Sequence, residues 1–268
     1  MHRNILTVAA LGLAAIAAAC GETAGPDAGA REVGLSFAIA PSGAGLSATL
    51  GMATSSSMAA LSVTDADGRT LTIERVRMVL AEIELERAGT TGNCDEHPEL
   101  CEDFEAGPVL IDLPVDGGVI TPFSSTIPEG SYDELELEIE APDGSDDVTL
   151  AFLEAHPGWP ASASMRVQGT FDADDGEGPQ PFDVFLDVQT DLELEFDPLF
   201  VVEPDGPGIL NVTIVIDVGS WFRDYDGSLI DPRALSADSG LRSTVHDNIE
   251  DSFEAFEDLD RAGTPQHE

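Results

Sequence analysis

The residues best placed to do chemistry are Asp224-Tyr225-Asp226-Gly227-Ser228-Leu229-Ile230-Asp231. Two carboxylates at i and i+2, a glycine that lets the backbone turn, and a later carboxylate put several oxygens on one bend. Hard Ca²⁺ takes about six to eight oxygen ligands, and alternate Asp residues on a turn supply several of them. The expected metal ligands are therefore Asp224, Asp226 and Asp231, and calcium is the expected ion. The same stretch also reads as an acidic loop in which Asp226-Gly227 makes a tight turn. Other acidic groupings (Asp172, Asp174, Asp175 and Glu177; Asp65 and Asp67; Asp258 and Asp260) carry less, because 52 of the 268 residues are acidic and chance pairs abound. Two ladders, Glu82/Glu84/Glu86 and Glu134/Glu136/Glu138/Glu140, each line one face of a strand. Glycoside hydrolysis could draw a carboxylate pair from them, but it needs a set separation and an acid of raised pKa, which spacing along a strand does not supply. His97 lies beside Asp95, Glu96 and Glu99, a grouping that reads as a metal cluster or as a solvated loop. There is no G-x-S-x-G and no H-E-x-x-H, and no catalytic residue is assigned.

Charge narrows the function classes further. The chain carries 11 basic residues, all of them Arg, and a formal net charge of -41. A P-loop, a Lys Schiff base and a protein-kinase site all need a lysine amine, so all three are excluded. Nucleic acid is excluded as a partner, because its phosphates would be repelled rather than steered in. The acidity itself reads as solubility or adaptation to a saline habitat, or as divalent-cation binding.

The N-terminus reads as an export signal. His2 and Arg3 precede an apolar run from Ile5 to Ala19, too short to span about 30 Å of hydrocarbon and ending in small residues. Ala17-Ala18-Ala19-Cys20 resembles the lipobox of bacterial lipoproteins, with Ala17 where that family usually has Leu, Val or Ile. The resemblance implies a diacylglyceryl-modified Cys20 and anchorage in a membrane. Gly21 is not the Asp that holds such lipoproteins in the inner membrane, which implies the outer membrane. An ordinary secretory signal cleaved at A-x-A is the other reading. Cys94 and Cys101 flank a polar loop and are expected to form a disulfide in an oxidising compartment. Two Cys at this spacing lack the second pair of a structural zinc site. The acidic loop at Asp224 resembles the start of an EF-hand loop, but Leu235 stands where that loop places its closing Glu.

These residues need a scaffold, and period-two patterning from Leu61 onward supplies strands. Val79, Ala81, Ile83 and Leu85 alternate with Leu80, Glu82, Glu84 and Glu86, and Leu135, Leu137 and Ile139 alternate with the second Glu ladder. Val184, Leu186 and Val188, then Leu192, Leu194 and Phe196, continue the pattern, and Ile209 to Val218 reads as a central strand. One buried and one solvated face per strand, with turns at Asp67-Gly68, Asp116-Gly117-Gly118 and Asp143-Gly144, predicts an antiparallel β-sandwich. Leu241, Val245, Ile249, Phe253 and Phe256 recur as one helical stripe after an N-cap at Asp238 or Ser239, with Gly263 past the end. The expected organisation is a signal peptide over 1–19, a lipidated tether over 20–32, and an early strand with a flexible Ser/Ala/Gly linker over 33–60. The sandwich domain follows over 61–232, then a packed C-terminal helix over 233–262 and a disordered tail over 263–268.

Ile127-Pro128-Glu129-Gly130-Ser131-Tyr132 resembles the P-x-G-x-Y turn-strand of bacterial surface β-sandwiches, transthyretin-like and immunoglobulin-like. With the lipobox, the layout resembles bacterial lipoprotein families that carry a domain of unknown function. That resemblance implies a mainly β sandwich and transfers no catalytic residue. The expected role is non-enzymatic: structural, ligand-binding or adhesive, with calcium as a stabilising ion and an envelope protein or a glycan as partner. The alternative is a glycan-directed hydrolase, which a deep cleft of converging carboxylates near Trp159 would favour. A further alternative is a subunit of an envelope assembly.

Overall fold

A computed structural model describes residues 30–40, 60–89, 104–203 and 210–257. Cys20, Cys94, Cys101, His97, Gly263 and the tail over 263–268 lie outside the described residues, and so do the expected signal peptide and disulfide. The chain is mainly β. Its strands are β1 (Ala30–Ile39), β2 (Leu61–Thr64), β3 (Thr70–Leu80), β4 (Glu82–Arg87), β5 (Phe104–Ala106), β6 (Val109–Asp112) and β7 (Val119–Pro128). After these come β8 (Gly130–Ile139), β9 (Met165–Asp172), β10 (Gln180–Leu186), β11 (Thr190–Val202), β12 (Leu210–Ile216) and β13 (Phe253–Glu257). The helices are α1 (Asp147–Ala155) and α2 (Ser239–Glu250), with a 3₁₀ turn at Pro232–Ala234. None of the described helices is long and apolar enough to cross a membrane.

The strands form three sheets, in orders β13-β12-β1-β7, β10-β9-β3-β2 with β6 also on β3, and β11-β8-β4-β5. One hydrophobic core runs through all three, from Phe37 and Ile214 through Ile73, Met78 and Val167 to Leu135, Leu137 and Phe200. Alternation sets the inward faces. In β9, Met165, Val167 and Phe171 are buried while Arg166, Gln168 and Thr170 are half-exposed.

Among the described residues, pairing is antiparallel with one exception: β1 and β12 run parallel from Val33↔Leu210 to Ile39↔Ile216. The exception follows from composition. Both strands are apolar or small along nearly their whole length and buried on both faces, as strands of parallel sheets are. β1 begins at Ala30 and sits between β12 and β7, so the early strand belongs to the same core as the region after Leu61.

The single alternating strand expected through Val79 and Leu85 is two strands in two sheets. The chain passes from β3 to β4 at Ala81, and the inward phase slips there, from Met78 and Leu80 to Ile83 and Leu85. Val79 faces the other way, into a small second core with Phe152 and Trp159.

The C-terminal helix expected over 233–262 is shorter. Asp238 caps α2 by accepting from the Gly240 and Leu241 N–H groups, at 2.8 and 3.2 Å. Thr244, Val245 and Ile249 are buried, and the helix ends at Glu250. Phe253 and Phe256, expected on its stripe, lie in β13, which pairs antiparallel with β12. Ser252 makes the break. Its hydroxyl donates to the Ile249 carbonyl at 2.6 Å and accepts the Trp221 indole N–H at 2.8 Å. The chain beyond it satisfies the hydrogen-bonding groups that β12 would otherwise leave open.

α1 has no apolar stripe, since Phe152 is its buried residue, so periodicity gave no sign of it. Its capping box is legible in the sequence. Asp146 accepts from Val148 and Thr149 N–H at 2.7 and 2.8 Å, and the Thr149 hydroxyl accepts the Asp146 N–H.

The P-x-G-x-Y stretch forms the turn from β7 to β8, which lie in different sheets. Tyr132 is fully buried, and its hydroxyl donates to the Pro128 carbonyl at 2.9 Å, a contact like the tyrosine corner of immunoglobulin-type sandwiches. Arg87 lies over the Tyr132 ring at 5.3 Å and donates to the Glu129 carbonyl at 2.9 Å. A side chain at Gly130 would collide with that guanidinium, so glycine leaves room for it.

Candidate functional site

The two Glu ladders come together. β4 pairs with β8, and β8 with β11, so their outward residues stand in cross-strand rows. One row is Asp191–Glu138–Glu82, the next is Glu193–Glu136–Glu84, and the third is Glu195–Glu134–Glu86. Glu105 on β5 extends the middle row beyond Glu84. Every position in these rows is a carboxylate. The opposite face of the same sheet is apolar, with Leu192, Leu137 and Ile83 in register above Leu194, Leu135 and Leu85.

Like charges directly opposite on a sheet repel, and the cost falls hardest where solvent is thinnest. Glu138, half-buried in the inner strand, is pushed up to about 7, first by burial and then by the charge of Glu140, a hydrogen bond with it, and the charges of Asp191 and Glu82. Burial and the neighbouring acids also raise Glu136 and Glu134. Glu82, Glu84 and Glu105 are the described residues whose carboxylate oxygens gather as a possible ligand trio, all within 4.8 Å of one another. A cation there would meet oxygens from two strands, held by the register rather than by a flexible loop.

The expected metal ligands behave differently. Asp224 and Asp226 sit on a hairpin closed by the Arg223↔Leu229 bridge, with Gly227 at φ 83° supplying the turn. Asp226 accepts the Ser228 N–H at 2.9 Å, and hydrogen bonds from Ser228 hold its carboxyl below the usual range. Asp224 accepts the Tyr225 N–H at 2.8 Å. Asp231 stands apart from them. It takes both the backbone N–H and the guanidinium of Arg233, at 2.8 to 3.2 Å. Burial would raise the Asp231 pKa, but the Arg233 bonds outweigh it and lower it. The turn at Asp226-Gly227 is thus present, and the three carboxylates do not converge.

Trp159 is buried, and its indole N–H donates to the Ala163 carbonyl at 2.6 Å. Trp221 and Phe222 are fully buried core residues. Asn211, part of the sequon-like Asn-Val-Thr, is buried on β12 and bonded to Ser36 and Thr213. His246 is partly exposed beside the Gln189 backbone.

Sequence alone named the two Glu ladders but not their union, nor the part played by Glu105, Asp191, Glu193 and Glu195. The usable signal was the shared phase: each of these strands carries its acids on the face opposite its leucines.

No protein-family model and no curated protein matches the chain. Among solved structures, the chain is similar to MbnP from Methylosinus trichosporium at 13% identity, with 85% of this chain and 99% of that one covered and a TM-score of 0.42.

Proposed function

We propose that this chain is a lipid-anchored, non-enzymatic binding protein of the cell envelope, and that its β11-β8-β4-β5 face holds divalent cations. The observation that carries the reading is the unbroken carboxylate rows, with Glu82, Glu84 and Glu105 gathered at one end. Calcium suits such a face because it accepts many oxygens in irregular geometry, whereas Mg²⁺ demands a tight octahedron and keeps its waters. The scaffold is read as a β-sandwich in which the sheets enclose a common core and α2 lays Val245 and Ile249 against it. The anchor is Cys20, read from the lipobox resemblance and the apolar run before it. The Tyr132 contact supports the sandwich reading.

The hydrolase alternative has one observation in its favour, the raised pKa of Glu138 beside Glu140. These two acids border a recess of about 250 Å3 whose described lining includes no aromatic platform for a sugar. Trp159 is not among the lining residues; it is buried behind them, against Val79 and Phe152. The binding reading is therefore preferred.

Two experiments test it. Thermal melts in EDTA, in millimolar Ca²⁺ and in millimolar Mg²⁺ at constant ionic strength should show a rise in Tm of about 3 °C or more with Ca²⁺ alone, since about 1 kcal/mol is worth roughly 2–4 °C in a domain of this size. Glu82→Gln with Glu84→Gln should abolish the rise, and Asp224→Asn with Asp226→Asn should leave it intact. Equal responses to the two ions, or a response that survives the Glu substitutions, would overturn the site. Separately, Cys20→Ser should move the protein from the membrane to the soluble fraction. Retention in the membrane would remove the anchor.

A further inference from the structure

The outer face of the β10-β9-β3-β6 region gathers three arginines in a chain of net charge -41. Arg75 and Arg77 on β3 and Arg166 on β9 stand in adjacent cross-strand positions with Asp112 on β6 and Asp183 on β10, while Glu74 and Asp172 lie farther along the same face. Both carboxylates are already engaged. Asp112 is held by Nε and Nη2 of Arg75. Asp183 accepts from Arg166 at 2.8 and 2.5 Å and from Gln168 at 3.2 Å.

Arg77 is left over. It is the direct cross-strand neighbour of both Asp112 and Arg166, yet among the described residues no group accepts a hydrogen bond from it. Its Nε is out of reach of solvent and unpartnered. The guanidinium stacks on Trp159, with Cζ 5.4 Å from the ring centroid. Burial and then the charges of Arg75 and Arg166 lower its pKa, more than the nearby charges of Asp112 and Asp183 raise it. Beside it Phe185, 40% exposed, meets Trp159 edge-on at 5.9 Å and carries Arg166 over its ring at 4.9 Å.

We propose that this shelf is an anion site, in which Arg77 receives the carboxylate of a small monocarboxylate whose apolar or aromatic body lies on Phe185. A half-buried guanidinium without a hydrogen-bond acceptor retains a desolvation cost that a planar carboxylate relieves through its fork geometry. A monoanion is the fitting ligand, because the field of a chain of net charge -41 disfavours anions of higher charge. The site lies on a different sheet from the carboxylate rows and stands independently of them.

The test is calorimetric titration of the full chain with benzoate, acetate and inorganic phosphate at constant ionic strength. Benzoate should bind saturably at one site, more tightly than acetate, with phosphate no better than acetate. Arg77→Met, which keeps an apolar stem against Trp159, should weaken benzoate by about tenfold or more, the size of one lost charge-assisted bond. Two further variants leave Arg77 in place. Arg75→Gln frees Asp112 to turn to Arg77 and should weaken binding to a similar degree. Asp112→Asn releases Arg75 and should tighten binding. The absence of saturable benzoate binding, full binding in Arg77→Met, unchanged binding in both Arg75→Gln and Asp112→Asn, or phosphate binding tighter than benzoate would each overturn the proposal.

Discussion

Asp65→Ala is expected to remove about 2–4 kcal/mol of folding stability, measured by urea denaturation at pH 7, because it leaves backbone N–H groups unpartnered and breaks a partly buried ion pair from one side. The Asp65 side chain is 1% exposed. Its Oδ1 accepts the Asp67 and Arg69 N–H groups, both at 3.0 Å, and its Oδ2 accepts the Leu229 N–H at 2.9 Å. The Nε of Arg69 lies 2.8 Å from Oδ2 without its hydrogen well aimed, so charge rather than alignment holds that contact. One carboxylate thus joins the β2–β3 turn to the Arg223–Leu229 hairpin, far away in sequence. Alanine would leave a buried N–H unsatisfied at Leu229 and would leave Arg69 with only the exposed Asp67 at 3.4 Å. Burial alone would raise the Asp65 pKa, but the Leu229 and Arg69 N–H bonds and the Arg69 charge outweigh it and lower it. A carboxyl lowered on folding contributes stability above its unfolded pKa and loses that contribution as pH falls through the folded value. The deficit of Asp65→Asn relative to wild type should therefore shrink on acidification below about pH 4. A loss under about 1 kcal/mol for Asp65→Ala, or a pH-independent deficit for Asp65→Asn, would contradict this role.

Glu138→Gln is expected to act in the opposite direction, raising stability at pH 8 by about 1–2 kcal/mol in EDTA, once the full shift is discounted for partial solvent screening. The folded pKa of Glu138 is about 7 against an ordinary 4.5, raised by burial and then by Glu140, Asp191 and Glu82. Because the folded value lies above the unfolded one, the contribution of this group is fully present below about pH 4.5 and lost as pH rises to about 7. Above that the wild type holds an ionised Glu138 among like charges, and the neutral amide does not. The gain from Gln should vanish at pH 4 and appear between roughly pH 4.5 and 7. Equal stabilities of variant and wild type at pH 8 would mean that the acidic rows are relaxed by solvent. The repulsion that makes Glu138 costly when ionised is also what a bound cation would relieve, so added Ca²⁺ should narrow the gap between the two proteins.

Much of the scaffold is legible in single segments. The strands at 133–139, 183–186 and 192–196 are recovered because hydrophobic alternation is a local record of which face meets the core, and the buried leucines follow it. The acids on their other faces are legible for the same reason. What misleads is any local pattern that continues through a change of partner. Val79 to Leu85 keeps its period while the chain leaves one sheet for another at Ala81. Phe253 and Phe256 extend the spacing of α2 by coincidence, while the open edge of β12 and the Ser252 contacts turn them into a strand. The Asp224 loop forms the tight turn that Asp226-Gly227 implies, and its carboxylates accept from neighbouring N–H groups and from Arg233.

By itself, then, the sequence determined the mainly β class, the acidity, the absence of lysine chemistry and the inward faces of most strands, because each depends on composition or on residues a few positions apart. The tertiary structure alone decided which strands are neighbours. That choice laid three separate ladders side by side into carboxylate rows. It also set Asp65 against Leu229, and left Arg77 beside two carboxylates already taken by other arginines. Such properties belong to pairs of residues tens to hundreds of positions apart. Their energies arise from register and from shared desolvation, which local patterning does not encode.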